Sequence, residues 1–98
     1  MVLGWFDTRA VEDLGRSIAR EIQDSMPPSD ELPGKEEAGK RAQEIERIAT
    51  QAKAFSRDHR LNFYKKAKLA NTLKWSLKEA GYSDVFIREM VGLILVSL

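Results

Sequence analysis

The sequence contains no cysteine and a single histidine, His59. Without cysteine the chain forms no disulfide and no thiolate metal site, which fits a reducing compartment. One histidine excludes a metal site built on two histidines of the same chain, and the Glu-x-x-His pair of di-iron bundles is missing. Glycine-rich phosphate-binding motifs and the G-x-S-x-G turn of hydrolases are absent too. We therefore expect no metal, no cofactor and no catalytic residue.

Long hydrophobic runs and strand-type alternation are also missing. The most apolar segment covers residues 85–98 and includes Arg88 and Glu89, whereas a membrane-spanning helix needs about 20 apolar residues. The N-terminus lacks the basic region and the long apolar region of a signal peptide. A hydrophobic content of 43% with 32% charged residues suits a globular chain. These features predict a cytoplasmic, all-α protein with one domain that covers residues 1–98.

Apolar residues recur at helical spacing in four segments, which predicts a compact bundle of four helices without a sheet. The predicted helices cover residues 7–26, 35–59 and 62–80, and a fourth helix follows Ser83. Asp7, Asn62 and Ser83 are suitable N-caps, and Gly81 is placed to end the third helix. The segment 27–34, PPSDELPG, stops the first helix and predicts an exposed linker.

The third helix is predicted to organise the bundle and to contact most of the other helices. Only residues 60–62 separate it from the second helix, so these two helices should be antiparallel or sharply angled. Two hydrophobic staples, Phe6 with Val11 and Tyr82 with Ile87, should fix the starts of the first and fourth helices. The predicted core consists of Val11, Leu14, Ile18, Ile22, Ile45, Ile48, Ala52, Phe55, Leu69, Ala70, Leu73, Leu77, Phe86, Met90 and Ile94.

The fourth helix is apolar on nearly every side. Such a helix must be buried by other elements, and three amphipathic helices in a chain of 98 residues are not expected to cover it completely. Surplus apolar surface of this kind marks a contact with a partner. We therefore expect a small non-catalytic helical protein that binds another protein, or itself, through the fourth helix and the exposed edge of the third.

The net charge of +1 hides an uneven distribution of charge. Residues 1–52 hold seven Lys/Arg and eleven Asp/Glu, whereas residues 53–98 hold nine and four. The basic stretch 53–78 also carries Tyr64 and Trp75, three helical turns apart on one side of the predicted helix. Lysines that neutralise phosphates beside aromatic rings that stack on bases favour nucleic-acid binding as the alternative function. In the simpler interpretation, the lysines are solvated and the two aromatic rings cover the edge of the core.

The candidate partner-binding residues lie on or beside this aromatic flank of the third helix. They are Tyr64, Lys65, Lys68, Asn71, Trp75 and Lys78. Asn71 is the most informative polar residue among them, because its amide either fixes the register of neighbouring helices or contacts a ligand. His59, in the last turn of the second helix, is expected to have a structural or surface role.

Overall fold

A computed structural model of the chain describes residues 8–28 and 34–98, and these residues fold into four helices. The helices are α1 (Arg9–Ser25), α2 (Lys35–His59), α3 (Phe63–Glu79) and α4 (Asp84–Ser97). Within the two described ranges there is no strand. The predicted all-α fold, a bundle of four helices, is confirmed. Asp7, Phe6 and most of the predicted linker 27–34 lie outside the described residues.

The helices pack in a closed order in which each helix has two main neighbours. α1 lies along α3 in the most extensive pair, α3 also packs on α4, α4 packs on α2, and α2 makes a short contact with α1. The prediction that the third helix contacts most of the others therefore holds for α1 and α4. α2 packs mainly on α4 and buries two residues near its middle, Ile48 and Ala52.

The core is built from the apolar stripes that the helical spacing predicts. Ten of the fifteen predicted core residues are buried, and Leu14, Ile45, Phe55, Ala70 and Phe86 are half-buried at the edge of the core. The buried set also contains Ala19, Met26, Tyr82 and Ile87, which the sequence analysis did not place in the core. Met26 follows the last residue of α1, so its burial shows that the core continues past the end of that helix.

α1 and α3 approach each other closely at Gly15, a buried glycine in the middle of α1. A Cβ atom added at this position would lie 3.0 Å from Cγ2 and 3.1 Å from Cβ of Thr72 on α3. Both distances are shorter than ordinary van der Waals contact, so the backbone of α1 can sit at this distance from α3 only because Gly15 has no side chain.

The starts of α3 and α4 are capped as the sequence predicts. The side-chain oxygen of Asn62 accepts a hydrogen bond of 2.8 Å from the backbone N–H of Lys65, and Ser83 Oγ accepts one of 3.2 Å from Phe86. Each bond satisfies a backbone donor that the helix leaves unpaired. α1 begins differently: Thr8 precedes it without a side-chain cap, and the Thr8 hydroxyl donates to the Glu12 carboxylate instead.

Two residues with left-handed backbone conformation end α2 and α3. Gly81, with φ of 96°, follows α3, and the bonds from its N–H to Lys78 and from Tyr82 N–H to Leu77 close the helix end. Arg60 follows α2 with φ of 48°, although an L-residue with a long side chain is unfavourable in this region. The chain thus uses the preferred residue at one helix end and a strained one at the other.

Tyr82 ties the α3–α4 turn to the end of α1. Its ring is buried and stacks on Phe86 at 4.6 Å between ring centroids. Its hydroxyl donates to the backbone carbonyl of Met26 and lies 3.3 Å from the carbonyl of Ile22. Burial raises the pKa of the Tyr82 phenol above its ordinary value, an effect that the nearby Arg41 guanidinium reduces. Tyr82, which was predicted as a staple residue, therefore also forms hydrogen bonds inside the core.

None of the four helices combines the length and the apolar character that crossing a lipid bilayer requires, as far as the described residues extend.

Candidate docking groove between α3 and α4

A groove of about 930 Å³ runs between the outward sides of α3 and α4. The two helices are joined by only four residues, 80–83. The turn therefore sets two ends, which we call the turn end (Lys74, Lys78, Asp84 and Arg88) and the open end (Phe63, Lys66 and Leu95). All seven of these side chains line the groove. The groove thus extends along most of α3, from its first residue to its last turn.

The floor of the groove is apolar and combines small residues with branched aliphatic ones. Ala67 and Ala70 contribute from α3, and Ile87, Val91 and Gly92 contribute from α4. Ile87 is buried beneath the floor, whereas Ala67 is exposed. Phe63 at the open end leaves 88% of its surface exposed, although burying such a ring fully would contribute roughly 1.5–3 kcal/mol. The groove therefore offers apolar surface that the other described residues leave exposed.

The rim of the groove is basic. Lys66, Lys74, Lys78 and Arg88 line it together with a single carboxylate, Asp84. No carboxylate of residues 8–28 or 34–98 forms an ion pair with any of these four cations. By contrast, several other cations of the described chain are paired, such as Arg16 with Asp13 and Lys68 with Glu12. The described acids therefore leave these four rim cations without an ion pair.

The aromatic flank of α3 borders the groove on its outer side. The indole N–H of Trp75 donates to the Asn71 side-chain oxygen over 3.1 Å. The ammonium groups of Lys74 and Lys78 lie 5.6 and 5.3 Å from the Trp75 ring centroid, within the range of cation–π attraction. Trp75 is still 49% exposed and Tyr64 is 47% exposed. Asn71 is exposed, so its amide orients the indole at the surface and does not fix the register of buried helices.

The six predicted site residues divide into two groups. Asn71 and Lys78 line the groove, and Trp75 is attached to both by the contacts just described. Lys68 is turned toward α1, where its ammonium lies 3.8 Å from the Glu12 carboxylate. Lys65 is half-buried and is not among the groove residues, whereas Tyr64 stays at the surface. The basic stretch of the sequence is therefore not one continuous cationic surface.

Sequence reasoning missed most of the groove. Ala70 was predicted to lie in the core, and Lys66 and Lys74 were predicted only as members of the basic stretch 53–78. Phe63, Ala67 and Arg88 were not among the predicted site residues. The groove could have been recognised from its small side chains, because two alanines on α3 opposite a glycine on α4 leave a gap that larger side chains would fill. Asp84 gave no such signal, because an acid in the first turn of a helix is expected on dipole grounds alone.

α4 also has an exposed apolar face outside the groove. Val85, Leu93 and Val96 lie at the surface, and Val96 keeps 87% of its area exposed. The expectation that the bundle leaves part of this helix uncovered therefore agrees with the exposure of the described residues. Gly92 lies on the same exposed side, and a Cβ atom there would meet nothing within 4 Å.

The single histidine lies away from this surface, at the end of α2. The His59 ring stacks on Phe55 at 3.9 Å, and its Nδ1 lies 3.1 Å from the Phe55 carbonyl oxygen. Both contacts are with the preceding helical turn and give the ring a local structural role. Across the described part of the chain, no three acidic or histidine side chains come together in a way that could hold a metal ion.

Comparisons with known proteins add no assignment to this geometry. No family model, no curated protein and no solved structure matches the chain.

Proposed function

We propose that this protein is a non-catalytic interaction module whose α3–α4 groove receives a helical segment of another protein. The observation that carries the proposal is the exposed apolar surface of the groove, including Phe63 and Leu95, bordered by cations that form no ion pair with a described carboxylate. An amphipathic helix in an apolar groove is a common mode of recognition, in which side chains at helical spacing fill the floor and polar groups meet the rim. A cytoplasmic location, expected from the lack of cysteine, is part of the same proposal.

The length of the groove sets the length of the ligand. Phe63 and Lys78 both line the groove, and fifteen residue steps of an α-helix correspond to about 22 Å. A ligand helix of roughly four turns would therefore cover it. A contact of this size lies at the low end of specific interfaces, which suits reversible association.

A partner protein fits the groove better than a second copy of this chain. Two copies that met groove to groove would bring Lys66, Lys74, Lys78 and Arg88 of each into one poorly hydrated interface. Only Asp84 of each copy could compensate, and burying unpaired cations is costly.

Self-association through the outer face of α4 (Val85, Leu93 and Val96) is the competing form, and sedimentation at micromolar concentration tests it. A stable dimer that buries this face and closes the groove would contradict the proposal.

The direct test uses a neutral amphipathic peptide of 16 residues, built from leucine, alanine and glutamine, added to isotope-labelled protein. We expect the amide signals of Ala67, Ala70, Val91 and Leu95 to shift on titration. Ala67→Glu places a charge on the floor at an exposed position and should abolish these shifts. The matched control is Ala54→Glu, an exposed alanine on α2, which should leave binding intact. Shifts that Ala67→Glu does not reduce would contradict docking in the groove.

Single-stranded nucleic acid is the second candidate ligand, and one observation favours it. Trp75 is half-exposed with the ammonium groups of Lys74 and Lys78 close to its ring, an arrangement that suits stacking on a base next to a phosphate. A 20-nucleotide oligothymidine tests this ligand by fluorescence anisotropy at two salt concentrations. Binding that weakens steeply with salt and is lost in Trp75→Ala would favour nucleic acid over a helix. Because Lys68 is paired with Glu12, we expect the peptide to bind more tightly.

A further inference from the structure

We infer that the helix received by the groove is acidic at one end and apolar at the other, so that it docks with its carboxylates at the turn end. The inference rests on the proposed function and adds the chemical class of the partner. It follows from the way charge and apolar surface are divided along the groove.

The turn end holds three of the four rim cations. Lys74 and Lys78 are one helical turn apart on α3, and Arg88 faces the same groove from α4. Asp84 is the only carboxylate among the groove residues, and it lies in the first turn of α4, where the helix dipole already stabilises it. The turn end therefore keeps an excess of positive charge that no described acid neutralises.

A docked helix would remove water from these cations. An ammonium or guanidinium group that loses water without gaining a partner is strongly unfavourable, whereas a charge-assisted hydrogen bond to a carboxylate compensates for the loss. A neutral or basic ligand therefore binds less well at this end than an acidic one. Lys74 and Lys78 can reach such a carboxylate without breaking an ion pair, since neither has one with a described residue.

The open end, by contrast, favours an apolar part of the ligand. Phe63 and Leu95 are exposed there, and Lys66 is the only charged residue of that end. Phe63 and Lys74 are eleven residues apart, which corresponds to about 16 Å along α3. The partner should therefore carry a bulky apolar residue and a carboxylate cluster separated by about three helical turns.

The test compares three peptides of 16 residues with the same leucine spacing. One has glutamates clustered in the terminal two turns away from the bulky residues, the second has glutamines there, and the third has lysines. We expect the glutamate peptide to bind about tenfold more tightly than the glutamine peptide at low salt, with the difference shrinking as salt rises. The lysine peptide should bind most weakly.

Charge reversal on the protein supplies the second arm. The double substitution Lys74→Glu and Lys78→Glu should remove the preference for glutamate and favour the lysine peptide. The control, Lys53→Glu with Arg57→Glu, reverses two exposed cations with the same spacing on α2 and should leave the preference unchanged. A nitroxide on the glutamate end should broaden the amide signals of Lys78, Gly81 and Asp84.

The outcomes separate this inference from the proposed function. If the three peptides bind equally and Ala67→Glu still abolishes binding, the groove is a docking site but the acidic partner is wrong. Broadening of Phe63 and Leu95 in place of the turn-end signals would overturn the orientation. If none of the peptides shifts the groove signals, both the inference and the proposed function are contradicted.

Discussion

At the residue scale, Gly15 controls how closely α1 and α3 approach. A methyl group there would lie 3.0 Å from a methyl carbon and 3.1 Å from Cβ of Thr72. The Thr72 Cβ is bonded directly to the backbone, so relief requires α3 itself to move. The sequence analysis did not single out Gly15, because a helical pattern does not show which neighbouring helix will pack against a given glycine.

We predict that Gly15→Ala lowers the free energy of unfolding by about 1–2 kcal/mol, since the cost of overpacking exceeds the gain in helix propensity. Urea denaturation measures the change. Gly39→Ala is the matched control, because Gly39 also lies in a helix but has open space around it. This control should gain up to about 1 kcal/mol. A stabilised Gly15→Ala variant would show that the two helices do not pack as described.

Tyr82 is the residue at which burial and hydrogen bonding are combined. Burial is the largest cause of its raised pKa, so the phenol loses its proton more readily in the unfolded chain than in the folded one. The stabilisation from the neutral phenol is complete below the ordinary pKa of about 10 and is lost as the pH rises above it.

We predict that stability falls above about pH 10 in the wild-type protein and that Tyr82→Phe reduces this fall. At neutral pH the same substitution should cost about 1 kcal/mol, because the Met26 carbonyl loses its buried donor. Thermal unfolding followed between pH 7 and 11 gives both results. Tyr64→Phe leaves the buried phenol in place and should retain the full alkaline decline. Identical declines in the Tyr82 and Tyr64 variants would contradict this assignment.

At the scale of the helices, the left-handed residue that ends α2, Arg60, is one that a glycine should replace favourably. Arg60 occupies a conformation that costs an L-residue roughly 1–2 kcal/mol, and glycine would remove most of this cost. The gain is partly offset by the greater freedom of glycine in the unfolded chain. The position is exposed, so side-chain contacts contribute little.

We predict that Arg60→Gly raises the free energy of unfolding by about 0.5 kcal/mol. Arg57→Gly, three residues earlier and inside α2, should lower it by about 1 kcal/mol. Denaturant midpoints of the two variants provide the comparison. Equal destabilisation by both substitutions would show that α2 does not end at His59.

The helices themselves could be predicted from the sequence, because their signals are local. Asn62, Ser83 and Gly81 mark helix ends by the hydrogen bonds and backbone angles that those residue types favour, and the structure places them there. The bounds of α2 were predicted to the residue. α1 begins at Arg9 after Thr8, whereas the predicted N-cap Asp7 and the predicted staple residue Phe6 lie outside the described residues.

The choice of neighbours could not be predicted, because it depends on side-chain shape at a distance. Apolar spacing identifies the stripe of α3 but does not show that α3 packs mainly on α1 and also on α4. For the same reason Ala70 was predicted to lie in the core, although it lines the groove together with Ala67. Lys68 and Lys78 belong to one basic stretch of the sequence, but the helix turns the first toward Glu12 and the second toward the groove.

At the scale of the whole molecule, apolar surface and charge are placed unevenly. α1 packs along α3 in the most extensive helix pair, whereas the groove between α3 and α4 and the outer face of α4 remain exposed. An apolar floor with cations along its rim is more specific than apolar surface alone, because it discriminates among ligands by charge. We therefore propose that the partner binds in the groove and expect the outer face of α4 to remain free in the complex.

Intermolecular nuclear Overhauser effects with the glutamate peptide measure directly where a ligand helix touches the protein. We predict contacts from the peptide leucines to the methyl groups of Ala67, Val91 and Leu95. Contacts confined to Val85, Leu93 and Val96, or the absence of any contact on α3, would contradict docking of the helix in the groove.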